Sequence, residues 1–208
     1  MTAQSTNITK NIILILIIAA AYAITRYVLS GAVSPHNIPV YIANKVLAVS
    51  AVFAVMMAAL AYLKDDNTGA RDWGRASFHL AVLHVFFSLV LLSPEYYGSM
   101  FYSWIGEDTA RLTIKGELSI VFGLLGAYAF FMLFISKHGT KAMAYFKLLA
   151  TFCTGSHLFI MAFSGWLPWT WGKKFYMPPI SLLSFIFVTV AFLIYLKMKD
   201  AKAENARN

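Results

Sequence analysis

The sequence predicts an all-α integral membrane protein: a single domain, residues 1–208, folded as a six-transmembrane-helix bundle with both termini cytoplasmic. Three observations predict it. The 208 residues are 60% hydrophobic and only 12% charged. Their apolar residues fall in blocks, and about 20 mostly apolar residues suffice for a helix to cross the hydrocarbon core. The cations are also unevenly distributed between the two sides that those blocks define.

The first block, 11–30, follows Lys10 and contains Ala21-Tyr22-Ala23, a pattern that resembles a cleavable signal sequence. Cleavage would leave five spans, the rest oriented as before. The run continues apolar through Tyr27-Val28-Leu29, which favours a retained first helix. The second block, 40–63, carries Lys45 near one end, and the third, 75–93, carries His84. The fourth, 116–136, contains Gly123 and Gly126, a pair suited to close helix contact. The fifth, 145–167, carries His157, and the sixth covers 179–196. The intervening loops are too short for a separate soluble domain.

Orientation follows from the cations. The side of the termini holds Lys10, Lys64, Arg71, Arg75, Lys137, Lys141, Lys147, Lys197, Lys199, Lys202 and Arg207, eleven in all. The other holds Arg26, Lys45, Arg111, Lys115, Lys173 and Lys174, which are six. Cytoplasmic loops carry the excess of Lys and Arg, so the termini belong there. The net charge of +8 thus reads as topology. It does not read as a nucleic-acid surface, because the basic residues are scattered over short loops. On the far side Tyr96, Tyr97, Tyr102, Trp104, Trp166, Trp169 and Trp171 read as an interfacial aromatic belt.

Exclusions narrow the chemistry. Cys153 is alone, so the chain has no internal disulfide, thiolate cluster or CxxCH haem attachment. It reads as a small apolar filler. Phosphate loops, dinucleotide turns and HExxH helices are missing. Any redox chemistry here therefore needs a separate electron donor.

The positive signal is His84 and His157. An intramembrane imidazole is expensive unless something binds it. Counted from Arg75 and Lys147, the two lie nine and ten residues into parallel spans, about 14 and 15 Å at the helical rise. Two imidazoles at one level suggest a shared ligand, and a haem iron held from both faces is the commonest candidate. The other reading is a histidine hydrogen-bonded to a hydroxyl or carbonyl of a neighbouring helix. For one histidine the two readings weigh evenly; the matched pair favours the ligand. Zinc would want further donors, and no acid lies near that depth. Cys153-Thr154-Gly155-Ser156, beside His157, would admit a flat macrocycle but suits helix packing equally. Arg26 and Lys45 are candidates to meet haem propionates, with Arg111 and Lys115 behind them. His79 points about 140° away from His84 and reads as packed or snorkelling. His36 and His138 read as loop residues.

Arg71-Asp72-Trp73-Gly74, followed ten residues after the glycine by Leu83-His84, resembles the third helix of ferric-reductase-like transmembrane proteins. The likeness is greatest to the haem-binding membrane subunits of periplasmic methionine sulfoxide reductase systems. Those have about six spans, a basic approach to helix three, and histidines within helices three and five. His157 falls where the later of two helix-five histidines lies in that family. The earlier one, thirteen residues before, is here Ala144, with Tyr145 and Phe146 beside it. The resemblance therefore implies one haem b, not two. It also implies an electron-transfer subunit of an oxidoreductase in a bacterial cytoplasmic membrane. Such a subunit takes electrons from a flavin reductase or quinol and passes them to an extracytoplasmic acceptor protein. The competing expectation is a haem-free small-solute transporter or a structural subunit of a membrane complex. Discontinuous helices and intramembrane acids, the usual marks of a transport path, are missing; Glu95 and Glu117 lie near span ends.

Overall fold

The computed structural model of the chain describes residues 3–29, 38–102, 111–136, 140–167 and 176–205. Six long helices dominate it: α1 (Ala3–Ala23), α2 (Ile38–Leu63), α3 (Asn67–Val90), α5 (Ile114–Ile135), α6 (Lys141–Ala162) and α7 (Ile180–Asn205). Each contains a stretch long and apolar enough to cross a membrane. The described residues form an all-α bundle whose six long helices have the length and composition of membrane spans. A short helix α4 (Pro94–Tyr97) and a two-residue antiparallel pair, β1 (Phe101–Tyr102) and β2 (Arg111–Leu112), close the end opposite the termini. That end is called the far end below.

Side-chain caps decide where the helices begin. Asp66 accepts the Gly69 N–H at 2.8 Å and starts α3, while Asp65, at φ 58°, ends α2 in a left-handed turn. Thr113 caps α5 through the Gly116 N–H at 3.1 Å, and Thr140 caps α6 through the Met143 N–H at 3.3 Å. The capped helices consequently start earlier than hydropathy alone predicts, α3 at Asn67, α5 at Ile114 and α6 at Lys141, and α1 likewise begins early, at Ala3. The first turns of α3 are polar, and Arg71 meets Asp72 there at 3.6 Å. Beyond Ala23, α1 continues as a π-helical turn, Ile24–Val28, with Thr25 back-bonded to the Ala21 carbonyl at 2.9 Å.

The helices form a ring in the order α3, α2, α7, α6, α5; α5 touches α3 lightly and α1 lies outside against α2. α3 and α6 do not pack on each other. In lipid, helices gain little from apolar burial and associate by close packing, which favours small interface residues. α2 follows that rule: Ala51, Ala54, Ala58 and Ala59 are all buried. Trp73 of α3 packs on Ala54 and Ala58, with Ile8, Ile12 and Ile15 of α1 on its other side. Tyr22 and Tyr27 tie α1 to the start of α7, through the Pro178 carbonyl at 2.6 Å and the Ile180 N–H at 3.3 Å.

Gly123 and Gly126 do form a close helix face, directed at α6: a Cβ on Gly126 would lie 3.3 Å from Thr154 Oγ1. Trp166 departs from the predicted belt. It is buried among Phe159, Phe163 and Phe185, and its indole N–H donates to Ser181 Oγ at 3.0 Å. Position after a span made it look interfacial, but an indole with a hydroxyl partner and three aromatic neighbours is better placed inside. His36, His138, Trp104, Trp169, Trp171, Lys137, Lys173, Lys174 and Arg207 lie outside the described residues.

At Gly116 a Cβ would stand 2.5 Å from the Met100 carbonyl oxygen. Gly116→Ala is expected to part α5 from the far-end cap and lower stability by about 1–3 kcal/mol. Thermal unfolding in detergent measures this against a Gly74→Ala control, where nothing lies within 4 Å.

Candidate functional site

His84 and His157 are placed by the same device, used twice. His84 stands on α3 and turns to α2, where its Nδ1 lies 2.6 Å from Asn44 Oδ1 and 3.2 Å from the Asn44 carbonyl. His157 stands on α6 and turns to α5, with Nδ1 2.7 Å from the Ser119 carbonyl and 3.1 Å from Ser119 Oγ. A backbone carbonyl can only accept, so each Nδ1 carries the proton and donates. In the neutral ring the lone pair then sits on Nε2. Neither Nε2 has a hydrogen-bond partner among the described residues. Both rings are half-buried rather than enclosed.

The level of the site is shared. His84 is six residues before Val90 and His157 five before Ala162. Asn44 is six residues after Ile38, and Ser119 five after Ile114. All four stand about 7–9 Å from the far ends of their helices at 1.5 Å per residue. The matched level expected for the pair is therefore found, but not at mid-length, because the caps on α3 and α6 add turns at the termini end. His84, His157 and the Lys45 ammonium lie within electrostatic reach of one another.

Asn44 is the hub on the α2 side and is only 2% exposed. Its amide NH2 donates to Ser88 Oγ and to Tyr97 OH, each at 3.2 Å, and its Oδ1 also receives the Ser88 hydroxyl at 3.3 Å. Ser88 is one turn after His84, so both face Asn44. Tyr97 comes from α4 and corrects the belt reading: its hydroxyl turns inward to Asn44. Ser119, the hub on the other side, is fully buried. Gly123 clears the space beside it, since a Cβ there would lie 3.1 Å from His157 Nδ1. Asn44 and Ser119 were not singled out in the sequence. A lone amide in an otherwise apolar span, adjacent to Lys45, was the available signal for the first; a serine among apolar residues is too common to mark the second.

The remaining candidates separate. Lys45 lies 5.1 Å from the Tyr41 ring centre, and its charge reaches both imidazoles. Arg26 lies on the outer helix beside Tyr27, 5.5 Å from its ring centre, and is not among the charges that act on the pair. His79 is exposed, donates to the Arg75 carbonyl of its own helix at 2.8 Å, and meets Phe134 edge-on.

Cys153-Thr154-Gly155-Ser156 is largely used for packing. Cys153 and Thr154 meet Gly126 of α5, and Gly155 meets Val188 of α7 at 3.6 Å from its would-be Cβ. A groove of about 410 Å3 between α6 and α7 is lined by Phe152, Gly155, Ser156, Phe159 and Phe185 among others, and neither histidine borders it. Among the described residues no group of three or more His, Cys, Asp or Glu could hold a metal ion. What the site offers is two imidazole Nε2 atoms without a hydrogen-bond partner among the described residues, and one cation. Fold and site together define a six-helix membrane protein with a histidine pair bonded across helices. No known protein family and no curated protein matches the sequence.

Gly123→Ala is expected to push the His157 ring off Ser119, because ring and Cβ must part by a few tenths of an ångström. Ring-nitrogen NMR of histidine-labelled protein should show the His157 Nδ1–H signal weakened or moved, with that of His84 unchanged.

Proposed function

We propose that the protein is the membrane subunit of an electron-transfer system and binds one b-type haem between His84 and His157. The observation that carries this reading is the paired tautomer: two imidazoles at one level, on helices that are not close-packed on each other, each spending Nδ1 on a neighbouring helix and keeping Nε2 for a ligand. The hydrogen bonds of the competing, purely structural reading are present, yet they use one nitrogen of each ring. Outer-shell bonds of this kind are what orient ligating histidines and raise their basicity.

His84 and His157 would hold the iron of such a haem, which would supply a one-electron couple there. The chain's own residues do the rest. Asn44 and Ser119 hold the rings. Lys45 presents a cation on the haem side of α2, where anionic propionates need one; Arg26, beside Tyr27, has no comparable support. The apolar span walls keep water from the pair. Electrons come from a separate donor, a flavin reductase or membrane quinol on the termini side, which the charge bias marks as cytoplasmic. They leave to an extracytoplasmic acceptor protein near the far end. A bacterial cytoplasmic membrane fits this arrangement.

The purified protein is expected to show reduced-minus-oxidised b-type bands with one haem per chain. His84→Ala and His157→Ala should each abolish the Soret band while the protein stays in the membrane. Unchanged haem content in both variants, or a colourless wild-type protein, removes the assignment. Lys45→Met should keep the haem and lower its midpoint potential, because a nearby cation favours the reduced, less positive centre; redox titration reads this.

A further inference from the structure

The two imidazoles are held unequally, and the inequality singles out a tuning residue. His157 donates mainly to a backbone carbonyl, that of Ser119 at 2.7 Å, which no substitution removes. His84 donates at 2.6 Å to a side-chain oxygen, that of Asn44; its backbone alternative, the Asn44 carbonyl, is longer at 3.2 Å. Asn44 is in turn oriented by others. Its NH2 donates to Ser88 Oγ and Tyr97 OH, hydroxyls that hold the amide in place, and the ring N–H, which needs an acceptor, sets the amide oxygen toward His84. Reversed, the amide would present N–H groups to an N–H donor.

We infer that Asn44 is the positioning residue that sets the donor strength of His84, and that Tyr97 of α4 steadies its amide. This rests on the haem reading above. The physics is general: the stronger the acceptor on the remote ring nitrogen, the more electron density reaches the ligating nitrogen, and the more the oxidised metal is favoured. A chain of three groups, Tyr97 hydroxyl, Asn44 amide and His84 imidazole, thereby links the far-end cap to one of the two rings that would hold the haem. On the His157 side the backbone acceptor offers no equivalent adjustment.

The experiment is redox titration and low-temperature electron paramagnetic resonance of the haem-loaded protein in five forms: wild type, Asn44→Asp, Asn44→Leu, Tyr97→Phe and Gly74→Ala. Asn44→Asp, with an anionic acceptor, should lower the midpoint potential. Asn44→Leu, left with the longer carbonyl bond, should raise it. Tyr97→Phe should move it in the same direction as Asn44→Leu by a smaller step. Gly74→Ala, where nothing lies within 4 Å of the added Cβ, should leave it at the wild-type value. In haem-free protein, ring-nitrogen NMR should show His84 as the Nδ1–H tautomer in wild type and as a mixture in Asn44→Leu. Haem-loaded Asn44 variants with wild-type potential and resonance, or an unmixed His84 tautomer in Asn44→Leu, overturn the inference while leaving the haem assignment intact. A colourless wild type overturns the assignment and the inference together.

Discussion

An imidazole N–H inside a bundle of apolar helices must find an acceptor on a neighbour, because lipid offers none. That requirement organises this protein. His84 reaches from α3 to Asn44 on α2, and His157 from α6 to Ser119 on α5. Each bond closes a helix pair at the same distance from the far end and orients a ring at the same time. The bonds would be weak cement in isolation; interhelical polar contacts in membranes average well under 2 kcal/mol. Their larger effect is geometric, since they choose a tautomer and therefore choose which nitrogen remains available.

The surrounding packing serves that geometry. Gly123 leaves room for His157 to lie against α5, and Gly126 draws the same two helices together below it. Alanines along α2 let α3 and α7 approach on either side. The ring of helices is tight where α2 and α6 meet their neighbours and loose between α3 and α5. The histidines flank the loose side. At the termini end a second interior cation, Lys147, is held 3.6 Å above the Tyr62 ring with Tyr195 beyond it at 5.3 Å. Hydropathy placed that lysine at a span boundary; aromatic faces let it stay within the helix.

The six spans were legible because each is a block of apolar residues long enough to cross, and blocks survive errors at their ends. The ends were less legible. Asp66 and Thr140 look like loop residues by hydropathy, yet capping extends α3 and α6 past the charged positions from which depth had been counted. The matched level of His84 and His157 survived this, because both helices lengthened together. Tyr97 and Trp166 were misplaced for one reason: an aromatic after a span looks interfacial until a buried polar partner, Asn44 or Ser181, is known. Such partners are distant in sequence and leave no periodic trace. The resemblance built on Arg71-Asp72-Trp73-Gly74 has a local structural account in Trp73, wedged between α1 and α2.

The displacement of the pair toward one end has an electrical consequence. Moving one elementary charge across a whole membrane costs or yields about 2.3 kcal/mol for every 100 mV of potential. In the proposed relay, a charge arriving at His84 from the termini end crosses the nine residues from Arg75, past the polar first turns of α3, whereas one arriving from the far end crosses the six from Val90. Loading the site from the termini side would therefore sense the larger share of the voltage, and unloading it to the far side the smaller.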